Sequence, residues 1–360
     1  MSSLSRRKFL QHAGWAAGAL PAAAMVPPPV GAASKRRIRI GQIGTGHAHA
    51  AGKLRTIQSL SEHYELVGVV ENDPERRQRL GDTYHGVELI SEEKLFNTPG
   101  LQAVAVETEV RELVPTAARC VQAGLHIHLD KPAGESFQAY ESLLDEASRR
   151  KLTVQMGYIY RYHPAFRFCI RALRDGWLGE VFEVDGVISK TVGAASRKRL
   201  AEYAGGAMFE LGCHLIDVLV WILGEPDGIT PFIRRSRPEE DSLADNQLAV
   251  FEYPEATATI RSALIEVAGA RRRQFVVCGD QGTFDLRPLS GGSFRLALDR
   301  PRGPYRKGYQ EVTLPEQPRR YVGDFLDLAA LIRGEKETEF SVEHDLAVHR
   351  AILLASGYDT

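Results

Sequence analysis

Between residues 36 and 156 the chain alternates short apolar runs with amphipathic stretches, and that alternation restricts the fold more than any other feature. Lys35-Arg36-Arg37-Ile38-Arg39-Ile40-Gly41-Gln42-Ile43 reads as a strand running into Gly44-Thr45-Gly46-His47-Ala48-His49. Further strands are expected over 64–70, 87–90, 101–106, 125–129 and 152–156, with helices near 92–96, 109–122 and 135–150. A crossover helix returns the chain to the same end of a sheet, so such strands pair in parallel. A doubly wound, Rossmann-type parallel sheet is therefore expected over 34–157.

Beyond Gly157 the period changes. A helix over 164–176 precedes apolar/polar alternation at 181–190, 247–253, 257–267 and 274–277. Longer strands with short turns favour a largely antiparallel open sheet, hence a C-terminal α+β domain over 158–360. Helical segments over 321–333 and 342–356 are expected to pack back onto the body. The whole chain is thus read as α/β followed by α+β.

Its 360 residues, 44% hydrophobic and 25% charged, suffice for two domain-sized cores. A net charge of -1 provides no general attraction to nucleic acid or acidic membranes, and no apolar run is long enough for a membrane span. The basic clusters Arg271-Arg272-Arg273 and Arg319-Arg320 are read as solvated surface. Cys120, Cys169, Cys213 and Cys278 have neither Cys-x-x-Cys nor zinc-type spacing, so reduced thiols are expected. At the N-terminus, Arg6-Arg7-Lys8-Phe9-Leu10 precedes a weakly apolar run over 13–26, three prolines and Ala32-Ala33. This resembles a twin-arginine export signal, so 1–33 is set apart from the fold and a periplasmic or other extracytoplasmic location is expected.

Several residues point to chemistry. Gly44 permits a tight turn, and Gly46 lets backbone approach a pyrophosphate at a helix N-terminus. Glu71 closes the second strand where an acid holds the adenosine ribose, which favours NAD; nearby Arg76 and Arg77 leave NADP open. Lys131 follows the strand Leu125–Leu129 and Asp130, at the carboxyl end where open sheets bind ligands. It is read as standing beside a nicotinamide and handling a sugar hydroxyl's proton, against a solvated lysine as the alternative. In the helix over 207–223, Glu210, His214 and Asp217 fall on one face among apolar neighbours. That face is either a catalytic group or a buried ion cluster clamping two helices. Tyr158, Tyr160, Arg161, Tyr162 and His163 form a polar-aromatic segment suited to a sugar, with interface packing the alternative. Arg197-Lys198-Arg199 and Tyr203 would receive a carboxylate unless simply solvated. The pairs His47/His49 and His126/His128 raise a metal site, but the cofactor fingerprint already accounts for the region and no metal is expected.

Taken in order, Gly44-Thr45-Gly46, Ala123-Gly124-Leu125-His126, Asp130-Lys131-Pro132, Gly157 with Arg161-Tyr162 and Pro164, and Gly205-Gly206 with Gly212, His214 and Asp217 resemble the Gfo/Idh/MocA oxidoreductase family. The resemblance implies hydride transfer between a nicotinamide and a carbon of a sugar, polyol or glycoside. It implies a small-molecule carbohydrate substrate and homo-oligomers formed through the C-terminal sheet. Lys131 then contacts the reacting hydroxyl, and His214 is the general acid/base, with Glu210 as the third catalytic candidate. Gly44, Thr45, Gly46, His47, Glu71, Thr108 and Lys131 would hold the cofactor, and Tyr158, Arg161, Tyr162 and Asp217 the substrate. Three positions depart from the family: Asp130 replaces Glu, Glu210 replaces Asp, and Glu109 after Thr108 replaces proline. Because free NAD is scarce outside the cytoplasm, export implies a retained cofactor. That leaves two other readings, a redox-neutral glycosidase, epimerase or lyase using retained NAD, and a non-catalytic sugar- or nucleotide-binding protein.

Overall fold

The computed structural model describes residues 36–316 and 319–359, so the export-type segment 1–33 lies outside the described residues. The first sheet contains β1 (Ile38–Ile43), β2 (Tyr64–Val70), β3 (Leu101–Val106), β4 (His126–Leu129) and β5 (Val154–Met156). Its order is β2-β1-β3-β4-β5, with every pairing parallel. Helices α1 (Ala50–Ser59), α2 (Pro74–Gln78), α3 (Glu92–Phe96), α4 (Val110–Gln122) and α5 (Phe137–Arg149) accompany it. Central strands are buried on both faces, as covered parallel sheets require: Ile38, Ile40 and Ile43 on β1, Ala103 to Val106 on β3. α4 supplies one cover, burying Val110, Leu113, Val114, Ala117, Cys120 and Val121 along one stripe.

The strand expected over 87–90 is not a sheet member but a single parallel bridge between Val69 and Leu89. Val87 and Leu89 pack instead around Leu54 and Tyr84, which satisfies their apolar surface without a ladder. The strand order reverses between β1 and β3, and at such a switch point the carboxyl ends open a ligand crevice.

The second sheet contains β6 (Val181–Ser189), β7 (Gly228–Arg234), β8 (Asn246–Glu252), β9 (Thr257–Ala263), β10 (Gln274–Gly279), β11 (Gly282–Leu286), β12 (Ser293–Leu298) and β13 (Gly308–Thr313). Its order is β13-β12-β11-β10-β6-β9-β8-β7, antiparallel except for the parallel pair β6–β9. Sequence reasoning found β6, β8, β9 and β10 and missed the other four. Helices α6 (Pro164–Arg174), α7 (Ala194–Leu200), α8 (Cys213–Leu223), α9 (Val322–Ile332) and α10 (Val342–Ala355) complete the fold. α9 packs on the first sheet, where Phe325 and Leu328 join Ile38, Ile40 and Tyr64, and the Tyr64 hydroxyl donates to the Phe325 carbonyl at 2.6 Å. α10 lies against both α8 and α5, tying the two sheets together.

Candidate active site

The glycine turn lies at the carboxyl end of β1. Gly44 has φ +89°, and a Cβ there would stand 2.6 Å from the Thr108 backbone nitrogen. Only glycine fits. Glu71 fastens this loop: its Oε2 accepts the Thr45 N–H at 3.0 Å and the Thr45 hydroxyl, while its Oε1 accepts the Asp73 N–H at 2.9 Å. The residue expected to hold a ribose therefore already has both oxygens engaged, and Glu71 is only 5% exposed. Arg76 spans the turn, 2.9 Å from Glu109 and 3.4 Å from Asp73, with its guanidinium against Gly46. A cleft of about 570 Å³ runs from Gly46 and His47 past Tyr203 and Phe209 to Glu210.

Below the cleft lies a buried polar network. His47 Nδ1 is 2.8 Å and His49 Nδ1 3.1 Å from the Asp130 carboxylate. Lys53, wholly buried, places Nζ 2.8 Å from Asp130 and 2.9 Å from Glu107. Burial alone would raise the Asp130 pKa, yet His47, Lys53 and His49 hold it well below the usual carboxylate range. Glu107 goes the other way: burial and then Asp130 push its pKa well above the usual carboxylate range. Burial lowers His49 to about 3 despite Asp130, so that ring is neutral. His47, His49 and Asp130 could together hold a metal ion. The Lys53 ammonium, hydrogen-bond close to the same Asp130 oxygen, already supplies that positive charge and makes the group a poor fit for a cation. The second pair is apart: His126 accepts the Thr153 N–H, and His128 stacks on Phe325.

The candidate catalytic residues come from two elements. Asp130 Oδ1 accepts the Lys131 N–H at 2.7 Å, fixing where the lysine leaves the sheet. The Lys131 Nζ donates to the Glu210 carbonyl at 2.6 Å and lies 3.4 Å from its Oε2. Residues Met208–Gly212 wind as one π-helical turn before α8, a geometry that frequently marks functional sites. The turn starts at Gly206, φ +56°, where a Cβ would collide with the Ala244 carbonyl. Burial is the largest influence on Lys131 and opposes its charge, but Glu210, Cys213 and Asp130 together raise the pKa, so the ammonium persists. His214, one turn on, is 3% exposed, its Nδ1 has no partner, and the rings of Tyr158 and Tyr160 stand edge-on at 6.3 and 5.8 Å. Burial and then Lys131 hold its pKa well below the usual histidine value, so the imidazole is neutral. A fixed ammonium thus lies near enough to a neutral imidazole to help hold it uncharged.

Residues 38–158 match the oxidoreductase family with an NAD-binding Rossmann fold, and residues 166–285 match the GFO/IDH/MocA C-terminal domain. The chain belongs to the Gfo/Idh/MocA family. The glucose-6-phosphate 3-dehydrogenase of Bacillus subtilis (strain 168) is 26% identical over 236 residues, 62% of this chain and 65% of that one. The solved aldose-aldose oxidoreductase of Caulobacter crescentus, complexed with glycerol, gives a TM-score of 0.75 at 22% identity, over 89% of this chain and 98% of that one. Levoglucosan dehydrogenase in complex with NADH and levoglucosan gives 0.73 at 14% identity, over 89% and 97%.

The Gfo/Idh/MocA dinucleotide fits this crevice. Gly44 leaves space where any Cβ would clash, and the Thr108 hydroxyl beside it is buried without a partner. Gly44, Thr45, Gly46 and His47 border the turn, and Glu210, bonded by Lys131, lines the far end of the cleft. Three of the expected substrate contacts lie elsewhere. Arg161 is 2% exposed and Asp217 fully buried; the guanidinium bonds Asp217 at 2.6 and 3.0 Å and Asp345 at 2.5 Å, and stacks on Phe340. That is a packing clamp between the domain junction, α8 and α10. Asp217 leaves the catalytic face because α8 is buried on all sides, so polar groups one turn apart meet different neighbours. Tyr162 is equally occupied, donating to Asp327 at 2.9 Å and accepting from Gln155 at 3.0 Å. Tyr158 remains beside His214 but is 2% exposed. Sequence reasoning missed Lys53 and Glu107; the lone lysine on an alanine- and glycine-rich helix start was the available signal for the first. Arg197 is held by Asp241 and Asp245, whereas Arg199 and Tyr203 line the cleft.

Proposed function

We propose that this Gfo/Idh/MocA protein is an NAD-dependent oxidoreductase acting on a hydroxyl-bearing carbon of a sugar, polyol or glycoside. The observation that carries the reading is the Lys131 ammonium, pinned by the Glu210 carbonyl, with the neutral His214 one turn further along the same helical segment, its Nδ1 without a partner. Oxidation of an alcohol removes a hydride from carbon and a proton from oxygen. The nicotinamide, when bound, accepts the hydride. His214 takes the hydroxyl proton, and Lys131 stabilises the developing alkoxide. Asp130, locked by His47, His49 and Lys53, is a positioning residue that aims Lys131 through its own N–H. The carboxylates Glu71 and Asp73 at the end of β2 favour NAD over NADP, because a 2′-phosphate would meet them. The proposal includes export through the paired arginines Arg6-Arg7 with cofactor retained, and self-association through the eight-stranded sheet, which exposes Phe182, Phe232 and Tyr309.

The test incubates purified protein with NAD and a panel of aldoses, polyols and glycosides. Reduced nicotinamide should appear with one class of them. The signal should be lost in Lys131→Met and His214→Asn, both of which should still bind NADH. Undiminished turnover in both variants would refute the assignment.

A further inference from the structure

One carboxylate in the cleft faces more cations than it can match. Glu210 sits between two lysines, Lys131 at 3.4 Å from Oε2 and Lys190 at 3.8 Å from Oε1. Beside Lys190, the half-buried Arg273 donates its Nε to the Ser189 carbonyl at 3.0 Å and has no carboxylate partner among the described residues. Arg273 turns inward, in contrast to the solvated surface expected of the run Arg271-Arg272-Arg273; only Arg272 among them pairs with an acid, Glu266. Arg320 approaches from the other side, 3.3 Å from His49 Nε2 and over the Tyr321 ring. The Tyr160 phenol feels both Arg273 and Arg320, and its ring meets His214 at 5.8 Å. Lys190 thus meets Glu210 directly, and Arg273 is fastened to the backbone of the residue before it. The other acid of the cleft wall, Glu109, is already held by Arg76 at 2.9 Å. Arg199 is set aside because it lines the wall near Gly46, where a pyrophosphate would account for it.

We propose that the substrate carries one anionic group, a carboxylate or a phosphate, and that Lys190 and Arg273 bind it on the opposite side of Glu210 from Lys131. The proposal rests on the hydride-transfer reading for the identity of the ligand as a sugar. A neutral sugar would leave Arg273 without a counter-charge and Lys190 sharing Glu210 with Lys131, whereas an anion satisfies both, Arg273 through its fork and Lys190 as a point charge. Burial and then the flanking cations already depress the Lys190 pKa in spite of Glu210, a strain that an added negative charge relieves.

Calorimetry on the NAD-loaded protein tests this with glucose, glucuronate and glucose 6-phosphate, and with the corresponding galactose set. At least one anionic sugar should bind about tenfold or more tightly than its neutral parent, by about 1.4 kcal/mol. The carboxylate and phosphate arms identify which anion the site takes. In Arg273→Gln, and separately in Lys190→Gln, the preference should collapse, seen as a KM effect with little change in kcat wherever turnover is measurable. Equal affinity for neutral and anionic sugars would overturn the proposal. So would a loss of NADH affinity in Arg273→Gln as large as the loss for the sugar, since the cations would then serve the cofactor. Preferential anion binding without reduction of NAD would keep the charge assignment and remove the hydride-transfer reading instead.

Discussion

Lys131 and His214 differ in what burial does to them. Both are nearly inaccessible, but Lys131 has Glu210 to offset desolvation and stays charged, while His214 has a cation nearby and stays neutral. The pH profile follows. His214 is the competent base above its depressed pKa, so kcat/KM should be flat through neutrality and fall only well below pH 6.5, the ordinary histidine value. An acid limb centred near that ordinary value would contradict the assignment. Removing the ammonium in Lys131→Met should lower kcat by about 10²- to 10³-fold, the scale of one lost transition-state donor, with the thermal midpoint close to wild type. Gly44→Ala should act differently. Its Cβ would meet backbone, not a flexible side chain, at a φ that alanine rarely adopts. A loss of about 1–3 kcal/mol is expected in denaturant titration, together with loss of NADH binding.

At the level of elements, the junctions around α8 and α10 are held by buried charge. Arg161 joins Asp217 of α8 to Asp345 of α10. Arg161→Met would strand both acids in the interior, and a cost of about 3–5 kcal/mol is expected in chemical denaturation. A substrate contact would show as a KM change at constant stability, so the two roles separate cleanly. Where α10 meets α5, His349 packs between Phe137 and Tyr140, 1% exposed, and burial pushes its pKa from 6.5 to about 3. As pH falls below 6.5 the unfolded chain takes up this proton before the folded one does. Stability is therefore lost on acidification between those values, by about 1.4 kcal/mol per pH unit for this one group. His349→Phe should flatten the fall of thermal midpoint between pH 6 and pH 4 relative to wild type; an unchanged slope would dismiss His349 as a contributor.

Over the whole molecule, residues 37–360 form one compact unit despite carrying two sheets. α9 completes the core of the first sheet and α10 bridges α5 and α8, so both terminal helices take part in holding the unit together. Calorimetry should accordingly show one cooperative unfolding transition for this unit, and two resolved transitions would count against the bridging role of the terminal helices. Much of this was legible in the sequence, for physical reasons that operate locally. Strand and helix periods, the glycines that no other residue replaces, and the lysine at a strand's carboxyl end are properties of short stretches, and they led to the parallel sheet, the cofactor turn and the pair Lys131 and His214. β7, β11, β12 and β13 escaped because half-exposed strands of a one-sided sheet carry a weak apolar signal. What no local pattern contains is which charges meet. Arg161 and Asp217 became a clamp, Arg273 came to bond the Ser189 carbonyl, and Lys53 came to lie under Asp130 because residues far apart in the chain were brought within a few ångströms. Sequence determined most of the elements and nominated the candidate residues, and tertiary structure decided the partners, since an ionic contact depends on distance in space and a period does not.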